Sequence, residues 1–379
     1  MKILHFSELG LPDWRIEKSA ITGSKFGHSV YFAGLFSPNY RSDVFKKIFR
    51  LNWTWQSKLQ LPYYYDLLKK QTKNILDELS PDIIHAHNIF AAKISSEFDY
   101  PIVYDGHEYW SAYVKNQREI IPKIDAIATN TNILSFPRNI IRNGFKKILR
   151  SRSEYLWMKW ERDLVSKYPS ITVSNNIANE LKKYGKKVVV IPNFPSKEEI
   201  IKFPEPFYHQ RLSSVYAGIE SPSFILPHRN LNGLIDLFNN NDLGYLVMIG
   251  IEGKSTNKIN FKGYLQRSIM YDEMMNNSIG LIPLKRHWSH IYISPNKAFE
   301  YAHSGLFVLA TSLFTSIKEH LGNNCIMYED NAELSNNLNY FKTNLEELYQ
   351  RRIAIFNYAR ENLLWENYEN KILDIYKVC

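Results

Sequence analysis

The segment SPNKAFEYAHSGLFVLATS (Ser294–Ser312) brings a cation, a carboxylate and a helix start together within two turns. Pro295 suits the first turn of a helix, with Ser294 as its cap and Asn296 beside it. Lys297 and Glu300 are three residues apart and share one helix face. A helix N-terminus attracts phosphate through free amides and the dipole. Lys297 adds a positive charge there, and Glu300 can accept from two vicinal hydroxyls, such as those of a ribose. Gly305 ends the helix and a buried strand follows. The plain alternative is a capped surface helix carrying an i,i+3 ion pair.

Histidines supply the other chemistry. His85 and His87 sit two apart at a strand end, so alternation puts both on one face. A metal pair there is conceivable, but no third carboxylate or cysteine ligand is indicated. No metal is therefore expected, with one imidazole lining a cleft and the other packing. His107, followed by Glu108, is either a cleft residue or a hydrogen-bonded structural histidine. His287 and His290 flank Trp288 in KRHWSHIY, a loop placed to close over a ligand or simply exposed. GIEGKS (Gly250–Ser255) ends like a phosphate loop but has two residues between its glycines where that motif needs four. No G-x-G-x-x-G follows the first strand, so no cofactor is expected.

These residues need a frame. Short apolar runs rich in β-branched residues read as buried strands. In the first half they are Lys2–Phe6, Ser29–Leu35, Ile83–Ala86, Ile102–Asp105, Ile171–Ser174 and Val188–Pro192. In the second they are Ser214–Ala217, Tyr245–Ile249, Ile259–Lys262, Ile279–Pro283, Phe307–Ala310 and Cys325–Tyr328. Helical segments alternate with them, which implies βαβ units and parallel sheets. The predicted class is α/β, two Rossmann-like domains with parallel sheets facing a cleft. Pro192–Arg211, with four prolines, reads as the linker. The expected domains are residues 1–195, joined by a terminal helix over 360–379, and residues 196–359. A long helical stretch is expected over about Leu345–Val378.

Composition fits a folded chain of two domains. Of 379 residues, 45% are hydrophobic and 22% charged. Cys325 and Cys379 are too few for a disulfide framework, which favours a reducing, cytoplasmic compartment. The opening MKILHFSELG reads as a strand rather than a signal peptide. No stretch approaches the roughly 20 apolar residues that span a bilayer. The net charge of +9 suits phosphorylated substrates, anionic membranes or nucleic acids. Phe45–Tyr65 and Phe145–Arg162 mix lysine and arginine with aromatics, the profile of a helix on an anionic membrane. No recognition motif supports nucleic-acid binding.

The order of these segments resembles glycosyltransferase family 4, the group 1 glycosyltransferases of GT-B fold. Pro295, Lys297 and Glu300–Tyr301, then Gly305 and an apolar strand, look like that family's donor-binding segment. PDIIHAHN (Pro81–Asn88) and IVYDGHEYW (Ile102–Trp110) resemble two strand ends of its N-terminal domain. ITVSNNIANELKKYGKKVVVIPNFP (Ile171–Pro195) resembles the run to its linker, and SVYAGI (Ser214–Ile219) with Arg229 the opening of its donor domain. INFKGYL and IGLIPL fit its later strands. The resemblance implies a retaining transferase, usually metal-independent, that moves a hexose from a nucleotide-diphosphate sugar to a glycan or lipid-linked acceptor. It implies that Glu300 binds the ribose and that Arg229 and Lys297 neutralise the diphosphate. His107 would face the sugar, and Gly263–Tyr264 would border the base. Three features depart from the pattern. Tyr292 stands where the family has a second glutamate. The lysine expected after Arg229 is missing, with Lys254 or Arg286 as substitutes. The glycine-rich loop after the first strand is only Leu9-Gly10-Leu11-Pro12. These departures leave a non-catalytic nucleotide-sugar-binding or scaffold protein, or an epimerase or phosphorylase of the same fold, as alternatives.

Overall fold

The structure is a computed structural model that describes residues 1–53, 63–129, 136–218 and 227–379. The chain divides into two compact units, Met1–Pro192 with Tyr368–Cys379, and Asn193–Asn367.

The first unit holds a seven-stranded sheet of order β3-β2-β1-β4-β5-β6-β7. Its strands are β1 (Lys2–Leu11), β2 (Ser29–Phe36), β3 (Ile48–Arg50), β4 (Ile83–His87), β5 (Ile102–Gly106), β6 (Ser170–Thr172) and β7 (Val188–Val190). Every neighbouring pair is parallel. Sequential strands leave β1 in both directions, so β1 and β4 flank the switch point, where open α/β sheets bind ligands at their carboxyl ends. The central strands β1, β2, β4 and β5 are buried through the middle, which explains the apolar runs; Ile3, Phe6, Phe32, Ile84 and Val103 are each 1% exposed or less.

The second unit repeats the plan with six parallel strands, order β10-β9-β8-β11-β12-β13. They are β8 (Ser213–Ala217), β9 (Tyr245–Ile249), β10 (Ile259–Gly263), β11 (Ile279–Ile282), β12 (Phe307–Thr311) and β13 (Cys325–Tyr328). Leu246, Met248, Leu281, Phe307 and Leu309 pack with Leu234, Phe238, Leu338 and Phe341 of the covering helices. Each such side chain contributes on the order of 1.5–3 kcal/mol by leaving water. Here β8 and β11 flank the switch point.

Three expectations need correction. Ile48–Arg50 is an edge strand, not part of a surface helix, because Phe45 and Phe49 turn inward as core. The rest of the Phe45–Tyr65 segment, residues 54–62, lies outside the described residues. The stretch from Leu345 is broken: helix Leu345–Asn362 gives way to a 3-10 turn at Trp365–Tyr368 before helix Glu369–Lys377. In helix Phe136–Lys167, Trp157 is buried against Phe90 and Trp110, so that aromatic belongs to the core. No helix of the described residues is long and apolar enough to cross a membrane.

Candidate active-site groups

In the first unit the strand ends gather one carboxylate, one guanidinium and four imidazoles. Asp13 caps helix Trp14–Lys25, accepting from the Arg15 and Ile16 amides at 3.0 and 3.1 Å. That start aims Arg15 across to β5. Its Nη2 reaches Asp105 Oδ1 at 2.8 Å and its Nε reaches Oδ2 at 3.1 Å, while Nη1 donates to the Ile191 carbonyl at 3.0 Å. Both side chains are buried. Burial alone would raise the Asp105 pKa, but Arg15 and the neighbouring imidazoles hold it well below the usual carboxylate range. A buried pair of this kind is costly to assemble and more costly to break.

Register then stacks the histidines. His5 on β1 pairs with His85 on β4, and His87 on β4 pairs with Asp105 on β5. The His85 and His87 rings stack at 4.4 Å, on one face as alternation predicts. His85 Nε2 lies 3.3 Å from Asp105 Oδ2, and its Nδ1 lies 2.7 Å from the Tyr376 hydroxyl. His87 Nε2 is 3.0 Å from His5 Nδ1, and His87 Nδ1 is 3.2 Å from His107 Nε2. His5, His85 and His87 are fully buried, and desolvation lowers the pKa of each. His107 follows β5 with its side chain 13% exposed. Its backbone amide donates to Asn88 Oδ1 at 3.1 Å, and Asn88 adopts φ 65°, which asparagine tolerates. So His85 and His87 both pack, and His107 is the accessible member.

The third ligand that sequence spacing did not show is present in space. His5–His85–His87 and His87–Asp105–His107 each bring ligand atoms within 4.8 Å of one another. In the second set the separations are 3.2, 3.4 and 3.6 Å, near the edges of a tetrahedral site. Asp105 already carries the Arg15 guanidinium on both oxygens, so a dication there would face a cation in contact with its own ligand. The hydrogen-bonded arrangement is the better account.

Gly10 is not in a loop. After a register shift between Phe6 and Gly10, β1 resumes and Gly10 pairs with Leu35.

In the second unit, helix Asn296–His303 carries the predicted donor segment. Its cap position falls on Pro295, not Ser294, because the proline backbone is still extended at φ −75° and ψ 114°. The Ser294 hydroxyl is buried without a partner among the described residues. Tyr301 fixes the helix to the sheet: its hydroxyl accepts from the Ala217 amide at 2.7 Å and donates to the Leu281 carbonyl at 3.4 Å. Gly280 makes this approach possible, since any side chain there would strike the Tyr301 ring.

That anchoring sends Lys297 to the end of β8. Its Nζ lies 4.2 Å from the Tyr216 ring centroid, against Gly218, where a side chain would collide with the ammonium. Some of the side chain remains accessible. Burial of the ammonium lowers its pKa to about 8, with Glu300 opposing and Arg229 adding to the shift. The i,i+3 ion pair does not form. Glu300 instead accepts from Arg267 Nη1 at 2.8 Å, and Arg267 Nη2 also bonds Glu199 at 2.6 Å. Arg267 was missed: it stands 33 residues from Glu300, with no motif to announce it.

The other predicted residues scatter around this frame. Arg229 closes the 3-10 turn Pro227–Arg229 and is exposed, and its charge acts on both Lys297 and His290. Arg286 pairs with Glu329 at 2.5 Å, so it is already engaged. His228 and His287 stack at 4.3 Å, and His290 is buried against Phe314 with its pKa pushed to about 3 by burial and these neighbours. Tyr292 ends the 3-10 turn Trp288–Tyr292. Gly263 has φ 58°, and Tyr264 after it is 79% exposed.

The comparisons with known proteins agree with this architecture. Residues 24–195 match the profile of Glycosyltransferase Family 4. No curated protein matches the chain in sequence. Sucrose-phosphate synthase from Thermosynechococcus elongatus aligns with 100% of this chain and 98% of its own at TM-score 0.71 and 12% identity. Anabaena HepE in complex with UDP-glucose aligns over 100% of both chains at TM-score 0.66 and 13% identity. WaaG, a glycosyltransferase of lipopolysaccharide biosynthesis, aligns with 98% of this chain and 99% of its own at TM-score 0.62 and 12% identity. At such identities the likeness is one of fold. With parallel Rossmann-like sheets in both units, the chain has the GT-B fold, and residues 24–195 resemble glycosyltransferase family 4.

Proposed function

We propose that this protein is a retaining hexosyltransferase that takes a sugar from a nucleotide-diphosphate donor and passes it to a glycan or lipid-linked acceptor. The observation that carries the reading is Lys297. A helix N-terminal turn holds its ammonium at the end of β8 with an aromatic face below it and no salt bridge among the described residues. An ammonium so placed is matched by a diphosphate. Complexes of Anabaena HepE with UDP and UDP-glucose support a nucleotide-sugar as the ligand class for this fold.

The roles follow from charge. Breaking the sugar–phosphate bond concentrates negative charge on the departing diphosphate. Lys297 and Arg229 stabilise that charge with no metal required of them. Glu300, steadied by Arg267, takes the ribose hydroxyls with the oxygen that Arg267 leaves free. His107 acts on the sugar side of the reaction. The overall basic charge suits a lipid-linked acceptor and contact with an anionic membrane surface.

Thermal-shift screening of nucleotide-sugars identifies the donor, since binding stabilises by mass action. Steady-state kinetics then test the roles. Lys297→Ala and Arg229→Ala should each lower turnover by roughly 10²–10³, the scale of losing one electrostatic stabiliser, and weaken donor binding less. Turnover within about threefold of the parent sinks the assignment. Donor binding without release of nucleoside diphosphate, with any acceptor, favours the non-catalytic reading that Tyr292 invites.

A further inference from the structure

We propose that His5 and His87 fix His107 in its Nδ1–H tautomer, so that His107 offers a ring N–H donor, and not a base, to a sugar oxygen. The tautomer is argued from the first unit alone. Only the sugar as recipient rests on the transferase reading.

The chain of contacts is His5 Nδ1 to His87 Nε2 at 3.0 Å, then His87 Nδ1 to His107 Nε2 at 3.2 Å. Each contact needs one donor and one acceptor. A neutral imidazole carries one N–H, so the choice at one end dictates the next. Burial keeps both His5 and His87 neutral near neutral pH.

The choice is made at His5. Its Nε2 is buried without a partner among the described residues, and the Phe45 ring lies edge-on at 6.0 Å. A proton on Nε2 would orphan a buried N–H donor. A proton on Nδ1 uses the donor and leaves only a bare lone pair. Orphaned buried N–H groups are the rarer and costlier defect. His5 Nδ1 therefore donates to His87 Nε2.

His87 must then accept at Nε2 and hold its own proton on Nδ1. That proton points toward His107 Nε2 at 3.2 Å, with Asp105 Oδ2 at 3.4 Å beside it. A second proton on His107 Nε2 would face it. The other outlet, from His107 Nε2 to Asp105 Oδ2, is long at 3.6 Å. That oxygen already receives Arg15 Nε at 3.1 Å and His85 Nε2 at 3.3 Å. His107 Nε2 is therefore an acceptor, and its proton sits on Nδ1. No partner for Nδ1 occurs among the described residues, and the side chain is partly accessible. The group it would recognise is an oxygen bearing partial negative charge. His5 and His87 are positioning residues, since neither touches substrate in this scheme.

The test is long-range proton–nitrogen NMR on the full chain labelled with ¹⁵N-histidine at pH 7.5, with His107 assigned by its loss in His107→Gln. The expected spectrum shows His107 protonated at Nδ1 and bare at Nε2. In His87→Leu the donor to Nε2 is gone, and His107 should switch to the Nε2–H form, donating to Asp105. A parent His107 protonated at Nε2, or a tautomer unchanged by His87→Leu, overturns the proposal. Should His87→Leu fail to fold, the parent spectrum alone decides. Stoichiometric uptake of cobalt(II) with tetrahedral visible absorption also overturns it, because the ion would take both lone pairs. A confirmed tautomer with no turnover of any nucleotide-sugar sinks the enzymatic reading and leaves the tautomer standing. The wrong tautomer with intact turnover does the reverse.

Discussion

The ends of β1, β4 and β5 and the end of β8 solve the same problem in opposite ways. Both lie at a switch point of a parallel sheet, and both hold ionisable side chains out of water. In the first unit the charges of the Arg15–Asp105 pair answer each other. Arg15 and Asp105 cancel, and the buried histidines around them stay neutral. In the second unit Lys297 has no counter-ion among the described residues, because Glu300 has been taken by Arg267. A self-satisfied cluster holds geometry; an uncompensated cation holds a place for an anion. The two regions therefore differ in what their residues give to stability and to binding.

Asp105→Ala is the strongest blow to that contrast. It removes the carboxylate that the Arg15 guanidinium, 3% exposed, bonds through Nε and Nη2. Removing one member of a buried pair costs about 3–5 kcal/mol. Guanidinium chloride unfolding should show a loss of this size. A loss under about 1 kcal/mol means that water reaches Arg15, and the first cluster is not the closed network described.

Much of this was legible in the sequence and some could not have been. The strands announced themselves because fully buried parallel strands are apolar on both faces, as at Ile83-Ile84 and Val308–Ala310. Lys297 was singled out by its spacing from Glu300, and His107 only by the resemblance of its strand end to the family. His5 was not, since a lone histidine in a strand carries no spacing signal. Its role appears only when β1 and β4 become neighbours, although 80 residues separate His5 and His85 in no readable pattern. Arg267 was hidden for the same reason. The cap at Ser294 failed by one residue because a proline holds its extended backbone before the helix begins. The aromatics of Phe45–Arg50 misled because a basic, aromatic edge strand and a membrane-surface helix share a composition.

Glu300→Gln sharpens the comparison from the second side. It keeps the shape of the side chain and removes the charge that Arg267 and, in the proposed function, the ribose both use. Arg267 retains Glu199, so the fold should survive. Donor affinity by calorimetry should fall by roughly 1–3 kcal/mol, the range for a charged hydrogen-bond partner. Unchanged affinity would make Glu300 a structural partner of Arg267 alone, and the second unit would then resemble the first.

The smallest effect decides the most about Lys297, because its sign is set in advance. In the unfolded chain the ammonium titrates near 10.5, and in the folded chain burial lowers this to about 8. Below pH 8 the group is charged in both states, so folding carries the full cost of confining it. Between the two values the folded state gives up its proton first. The unfolded state then binds more protons, and stability rises with pH. Above 10.5 both states are neutral and the cost is gone. Lys297→Met keeps the packing stem and removes the charge. The variant should therefore melt higher than the parent at pH 7, and the gap should close between pH 8 and 10.5. Water still reaches part of the side chain, so the rise should be modest, roughly 1–2 °C. The same variant should lose turnover. Greater stability bought with lost activity is the signature of a charge kept for an absent anion. A variant that melts lower at pH 7 would mean that the ammonium already has a native partner. Lys297 would then belong with Arg15 as a structural cation, and the contrast between the two switch points would fall.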